Sequence, residues 1–477
     1  VLTNFPYLNN GPKDLIGNSG KGKEYAYRSY FGRVMYSYAD RYLFQANIRH
    51  DGSSRFAKKH RWGTFPSFSA GWVLSEENFM KNLNWEWLSF LKIRATWGAL
   101  GNERIGDFPY MSTIAFGNTI FYQNNGIYFD QTASQQKYAI ENVTWEKTES
   151  TDIGLDISFL NNRLRVNGDY YWKNTKDMLL AMAIPDFLGF SDPDVNAGKM
   201  STKGYELNVS WNDHIGDFSY GIAINFSDFT SKMGDLQGTQ FLGDKVKMEG
   251  SEFNEWYGYV SDGLFLTEED LKNSPKINDK NTQLGDIKYK DISGPDGVPD
   301  GKISPEYDRV LLGSSLPHFL YGGNINLGYK NFDLSLAFQG VGKQNARLAR
   351  EMVEPFRNNY GNFPAIIDGN YWSPYNTDEQ NAVAKYPRLT HVNKSSNYAM
   401  SDYWLFNGGY FRLKNITLGY TFPKEWMNAI GIKGARIYAS ASDLFCLSKY
   451  PKGWDPEMGV SEYPITTSIL LGVSVNF

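Results

Sequence analysis

The sequence predicts an all-β chain, a transmembrane antiparallel up-and-down β-barrel. Three observations carry that expectation: long segments alternate apolar and polar residues, their connections alternate short and long, and aromatics make up 16% of the chain. Side chains on a strand point to opposite faces in turn, so a strand with lipid on one side and a polar lumen on the other reads with period two. The last stretch is the clearest. Ile469, Leu471, Val473, Val475 and Phe477 share one face, and Ser468, Leu470, Gly472, Ser474 and Asn476 share the other. A membrane-crossing strand needs roughly 9–11 residues, which this segment supplies.

The same pattern runs through the chain in order. Tyr30, Val34, Tyr36 and Tyr38 oppose Ser29, Arg33 and Ser37; after a tight turn at 39–40, Tyr42, Phe44, Ala46 and Ile48 oppose Arg41, Gln45, Asn47 and Arg49. A basic loop over 51–63 leads to a strand over 64–74, a short helical link over 75–88, and Leu91, Ile93, Ala95 and Trp97 alternating with Lys92, Arg94 and Thr96. A long connection over 99–149 has room for a hairpin of its own. Ile153 to Phe159 and Leu164 to Trp172 then flank Asn161-Asn162, residues that accept the positive φ of a tight turn. Tyr205–Trp211 answers Phe218–Phe226, and Tyr321–Tyr329 answers Phe332–Phe338 across Lys330-Asn331. The strand over 410–420 changes phase near Lys414-Asn415, the signature of a bulge. Ala435, Ile437, Ala439 and Ala441 supply the next.

This gives about thirteen strands whose long connections (99–149, 174–200, 230–316, 341–408 and 445–466) all fall at one end. Outer-membrane barrels sort their loops this way, with short periplasmic turns and longer external loops. Counting back from a last strand that ends on the short-turn side, the first strand enters from the long-loop side. An even-stranded barrel then needs at least one earlier strand, so the expectation is the carboxy-terminal part, over 24–477, of a larger barrel. Residues 1–23 read as a loop or partial strand.

Composition narrows the functional classes. The formal charge of −4 over 477 residues offers neither a nucleic-acid footprint nor a polybasic membrane patch. A single cysteine, Cys446, has no internal disulfide partner, and the five histidines show no metal-ligand spacing. No apolar run approaches the roughly 18 residues of a transmembrane helix. A secreted carbohydrate-binding β protein shares the aromatic-rich composition; so does a structural or adhesion barrel that passes nothing.

Specific phrases now carry a resemblance. Ser29-Tyr-Phe-Gly-Arg-Val34, Asp40-Arg-Tyr-Leu43, Arg49-His-Asp-Gly-Ser-Ser-Arg-Phe56, Phe65-Pro-Ser-Phe-Ser-Ala-Gly-Trp72 and Leu91-Lys-Ile-Arg-Ala-Thr-Trp-Gly98 resemble the SusC/RagA class of TonB-dependent outer-membrane transporters of Bacteroidota. So do Gly101-Asn102, Trp145-Glu-Lys-Thr148 and Phe411-Arg-Leu-Lys-Asn-Ile-Thr-Leu-Gly-Tyr420. The resemblance implies a barrel of about 22 strands, with an amino-terminal plug and TonB box that this chain lacks. It also implies a SusD-type surface lipoprotein as lid, energy delivered by TonB through that amino-terminal region, and oligomeric cargo, glycan favoured over peptide, imported across the outer membrane. It implies no enzyme activity and no required cofactor.

Two sets of candidate site residues follow. Asp286, Asp291, Ser293, Asp296, Asp300 and Asp308 cluster with Gly297 and Gly301, and Asp300-Gly301-Lys302-Ile303 matches the centre of a Ca²⁺ loop. Asp296, Asp300 and Asp308 are the candidate ligands for calcium. The version that the resemblance implies is cleaner: Val298 stands where a ligand belongs, and Asp308 is displaced by one. The alternative is an Asp/Gly/Pro turn cluster on an external loop. The second set is aromatic. Trp256, Tyr257, Tyr371, Trp372, Tyr403 and Trp404, with Tyr375 nearby, are candidates for contact with substrate or lid; loop self-packing and lipid-interface girdles are the alternative. Lumen charges such as Asp152, Asp156, Asp169, Arg163, Arg412 and Lys414 are expected to solvate the interior and meet the plug. No catalytic constellation is present: His50, His60, His214, His318 and His391 are scattered, and no nucleophile elbow or phosphate loop occurs.

Overall fold

The computed structural model describes residues 20, 22–123, 126–135, 138–182, 186–238, 242–357, 363–459 and 462–477. The expected loop over 1–23 lies almost wholly outside the described residues. Thirteen long strands form one sheet: β1 (Tyr27–Tyr38), β2 (Tyr42–Ser53), β3 (Trp62–Val73), β4 (Leu88–Asn102), β5 (Glu146–Phe159), β6 (Leu164–Ala181) and β7 (Asp194–Ile215), then β8 (Phe218–Met233), β9 (His318–Tyr329), β10 (Phe332–Lys343), β11 (Tyr410–Thr421), β12 (Gly434–Ser448) and β13 (Ser468–Asn476). They hydrogen-bond in sequence order, the pattern of an up-and-down sheet.

Register places the alternation where the sequence puts it. Across β10 to β13, Asp333, Gly419, Tyr438 and Gly472 form one cross-strand row. On that face Arg436 Nε donates to Asp333 at 3.2 Å, and the Thr417 and Ser440 hydroxyls meet at 2.8 Å. The opposite face carries Leu418, Ile437 and Leu471, and it is uncovered: Leu471 is 82% exposed. Val34 on β1 is 64% exposed. None of Leu164, Val166, Tyr170 and Trp172 is buried. Apolar side chains left uncovered along whole strands are not a core; they are a surface built for lipid.

The strands run further than the alternation shows. Residues 174–200 read as a loop, but β6 continues to Ala181 and β7 begins at Asp194. Beyond the lipid slab both faces meet water or protein, so the two-residue period disappears while the hydrogen-bond ladder continues. Strand ends at Asn102, Met233, Lys343 and Ser448 likewise lie past the alternating segments.

The phase change near Lys414 is a bulge. Pairing of β10 with β11 jumps from Ala337↔Asn415 to Phe338↔Leu413, and pairing of β11 with β12 jumps from Asn415↔Ser442 to Leu413↔Phe445. Lys414, unpaired on β11, forms an ion pair of 2.6 Å with Asp443, which together with Leu444 is unpaired on β12. Below the bulge the even-numbered Ile416, Leu418 and Tyr420 face outward. Above it the phase is reversed, and Arg412 points to the polar side, where it is buried.

The chain forms two compact units. One runs to Ala70 and adds Ala95–Thr151 and Lys173–Met200; the other comprises Gly71–Arg94, Asp152–Trp172 and Ser201–Phe477. The first has a small core of Phe56, Phe65, Ile105, Val143 and Trp145, with the Trp145 indole donating to the Arg61 carbonyl at 3.1 Å. It also holds a hairpin of Ile114–Gln123 and Gly126–Gln135, within the connection where one was expected.

In the second unit the connections 234–317 and 344–409 pack on one another. Three small sheets (Lys245–Val246 with Glu255–Gly258 and Val310–Gly313; Ser261–Leu264 with Ile287–Tyr289; Asn345–Arg347 with Leu405–Asn407) surround a core that includes Tyr259, Ile287, Tyr289, Ile367, Tyr398 and Trp404. The two loops thus make a folded module with its own hydrophobic interior. Burial pushes the phenols of Tyr289, Tyr398 and Tyr403 well above the ordinary tyrosine range. A group whose folded pKa is raised stabilises fully below its unfolded pKa, here about 10, and that contribution is lost as pH rises. Each tyrosine that must ionise adds to that loss. Near-ultraviolet circular dichroism of the purified protein should lose the module's aromatic signal above pH ~10 before far-ultraviolet strand signal falls; simultaneous loss would contradict this.

Candidate functional site

The centre of the module is Asp286, which the sequence groups with a cation-binding acid cluster. It is fully buried. Arg388 Nε donates to it at 2.7 Å, the Asn393 and Asn397 amides at 2.8 and 2.9 Å, and the Gln283 backbone N–H at 2.9 Å. Arg388 also reaches the Asn281 carbonyl at 3.1 Å. All lone pairs are engaged by donors from both connections, so Asp286 is a structural clasp and not a ligand. Sequence spacing gives no warning, since the partners lie more than a hundred residues away.

Two of the three candidate calcium ligands, Asp308 and Asp300, also turn to backbone. Asp308 is fully buried and accepts from the N–H groups of Ile292, Ser293 and Ser304 at 2.7, 3.2 and 2.7 Å. Asp300 accepts from Lys302 N–H at 3.0 Å, and Asp296 lies in an exposed turn closed by Gly297 N–H to the Gly294 carbonyl. Among the described residues no three His, Cys, Asp or Glu side chains converge as a metal site. The acids build turns here, so no calcium chemistry is derived from them.

The aromatic set divides. Trp404 is 2% exposed, with its indole donating to the Asn397 carbonyl at 2.9 Å, and it stacks on Tyr398 at 5.1 Å. It is a core residue, which corrects its expected contact role; in a loop with its own interior, an aromatic is as apt to be packed as presented. Tyr403 packs edge-on to it, and its hydroxyl donates to the Lys385 carbonyl at 2.8 Å. Trp256 lies under the Lys245 ammonium at 4.6 Å and Tyr257 under the Arg309 guanidinium at 4.5 Å. Burial lowers the Lys245 pKa.

Tyr371 and Trp372 line a cleft of about 580 Å³ with Tyr375, Gln283, Glu268 and Arg388. The turn that carries these aromatics is fastened. Ser373 N–H donates to Asn381 Oδ1 at 3.0 Å, Asn381 Nδ2 returns to the Ser373 carbonyl at 3.0 Å, and Asn376 Nδ2 donates to the Tyr371 carbonyl at 3.0 Å. Thr377 and Gln380 close a reciprocal capping box just beyond. Gly285 sits against the Trp372 ring with φ +83°, a place where a Cβ would both strain the backbone and collide with the indole.

On the polar face of the sheet Asp152, Asp156, Asp169 and Lys414 gather around two arginines, whereas Arg163 pairs with Asp213 at 3.2 Å. Arg94 contacts Asp169 at 2.6 Å, Asp156 at 3.3 Å and Asp152 at 3.5 Å. Arg412 contacts Asp455 at 2.5 Å, Glu457 at 3.0 Å and Asp443 at 3.5 Å, with Lys414 on Glu457 at 3.4 Å. Asp455 and Glu457 come from the last long connection and have no sequence signal; only the fold brings them to β11.

A family model described as "TonB dependent receptor-like, beta-barrel" matches residues 3–444. The TonB-dependent receptor SusC of Bacteroides thetaiotaomicron is 32% identical over 94% of this chain and 43% of its own length. The TonB-dependent receptor P3 of Formosa agariphila is 31% identical over 90% of this chain and 42% of its own. The solved RagAB peptide transporter has a TM-score of 0.76 at 23% identity, over 97% of this chain and 49% of that one, which speaks to fold. The chain therefore spans less than half the length of these relatives. It belongs to the TonB-dependent receptor family, and its thirteen long strands are strands of that family's outer-membrane β-barrel.

Proposed function

We propose that this chain serves TonB-dependent import of oligomeric nutrients across the outer membrane, with a SusD-type surface lipoprotein as lid. Kinship with SusC over 94% of the chain is the observation that carries this reading. The folded external module gives such a lid a rigid surface to close on, and the arginine-centred clusters on the polar face give a displaceable plug a charged wall to slide against. Glycan is favoured over peptide as cargo. The exposed aromatics of the module suit the apolar faces of sugar rings, and the cationic group in its cleft, Arg388, is already committed to Asp286. The peptide cargo named for RagAB belongs to that protein, and the likeness at 23% concerns the barrel.

Uptake by whole cells tests the proposal. Fluorescent oligosaccharides should enter cells carrying the intact receptor, and uptake should fall to background when the receptor, TonB or the adjacent lipoprotein is deleted. Undiminished uptake without TonB would refute it.

A further inference from the structure

We infer that the cleft formed by Tyr371, Trp372 and Tyr375 is a binding subsite for an uncharged sugar ring, placed on the external module and outside the barrel lumen. The inference rests on the proposed glycan cargo and gives it a location.

Four observations on this one cleft converge. First, Tyr375 is 96% exposed and contributes almost no buried area to folding. Yet its turn is held on both sides by the Ser373, Asn376 and Asn381 hydrogen bonds and closed by the Thr377/Gln380 capping box. Presenting an unpacked aromatic from a fastened backbone lowers the entropy lost when a ligand is gripped. Second, Trp372 is backed by the backbone of Gly285, where a side chain would collide with the indole. The glycine therefore seats the ring, and its positive φ aims the chain so that the next residue, Asp286, enters the core.

Third, the cleft of about 580 Å³ lies within the range of small-ligand sites, roughly 300–1,000 Å³. Fourth, its polarity excludes most alternatives. The Arg388 guanidinium is spent on Asp286 and the Asn281 carbonyl, so no uncommitted cation on this wall awaits a phosphate or carboxylate. What remains is an exposed amide, Gln283, and an exposed carboxylate, Glu268, beside the aromatics. A sugar ring matches that inventory: C–H faces to lie on indole and phenol, and hydroxyls to hydrogen-bond an amide and a carboxylate. A peptide's carboxylate terminus would find no counter-ion, and its ammonium end only Glu268.

The test uses the detergent-purified full-length receptor and calorimetric titration with malto-, laminari-, manno- and xylo-oligosaccharides, alongside uncharged capped peptides of similar size. At least one sugar series should bind, and Tyr375→Ala should weaken it about tenfold, the loss of one good contact of ~1.4 kcal/mol. Because Tyr375 is unpacked, that variant should melt with the parent. Trp372→Ala should weaken binding at least as much. Trp372→Phe, which keeps the apolar contact with Gly285, should retain the parent's melting temperature and lose only part of the affinity. Three calorimetric results overturn the inference: no sugar series binds, a sugar binds equally to all variants, or the capped peptides bind in a Tyr375-dependent way while sugars do not. TonB-dependent uptake that persists unchanged in Tyr375→Ala cells would remove this subsite and leave the import proposal standing. Loss of TonB dependence in the parent would remove the proposal itself.

Discussion

Replacing Asp286 with alanine should unfold the module built by connections 234–317 and 344–409 while leaving the barrel intact. The substitution strands the Arg388 guanidinium and two buried amides without their acceptor. Breaking one side of a buried, hydrogen-bonded charge pair costs about 3–5 kcal/mol, which is comparable to the whole stability of many small domains. Limited proteolysis should then cut within 234–317 and 344–409, where the parent resists. Far-ultraviolet strand signal and heat-dependent gel migration should not change. Asp286→Asn is the milder companion: it keeps an acceptor oxygen for one amide but loses the ionic partner of Arg388. Equal protease resistance in parent and Asp286→Ala protein would show that the clasp carries no weight.

The second large effect concerns two adjacent leucines. Leu471 faces outward at 82% exposure, and Leu470, on the opposite face of β13, is 52% exposed. Their residue type is the same, so any difference between them comes from what lies outside each face. An arginine in the lipid-facing band costs about 2–4 kcal/mol near the bilayer midplane, whereas lumen positions tolerate charge. Leu471→Arg should therefore depress the outer-membrane level of the protein and its refolding yield into vesicles, and Leu470→Arg should do neither. Equal tolerance at both sites would mean that lipid does not touch the ribbon of Ile469, Leu471 and Val473.

The comparison of these neighbours also shows why so much of the barrel was legible. Lipid imposes a rule on every second residue, and that rule is local: it can be read at Ile437 and Ala439 without knowing what lies across the sheet. The bulge was legible for the same reason, since a phase slip at Lys414 breaks a local period. Where lipid ends, the rule ends, and so β6 and β7 extend into residues 174–200 that read as loop. The external module was opaque because its determinants are long-range. Asp286 looks like one acid among several until Arg388, Asn393 and Asn397 are brought to it. Trp404 and Tyr375 sit in similarly aromatic stretches, yet one is sealed in a core and the other stands free. Nothing in the local pattern of either residue separates the two cases.

The two connections that build the module leave and return on four consecutive strands, β8 to β11. Neighbouring strands lie about 4.8 Å apart, so each connection begins and ends almost at the same point. A segment with such closely spaced ends can be exchanged as a cassette, because a new insert need only bridge one inter-strand gap. The staves and the module can then diverge at separate rates, one constrained by the bilayer and the other by its own core.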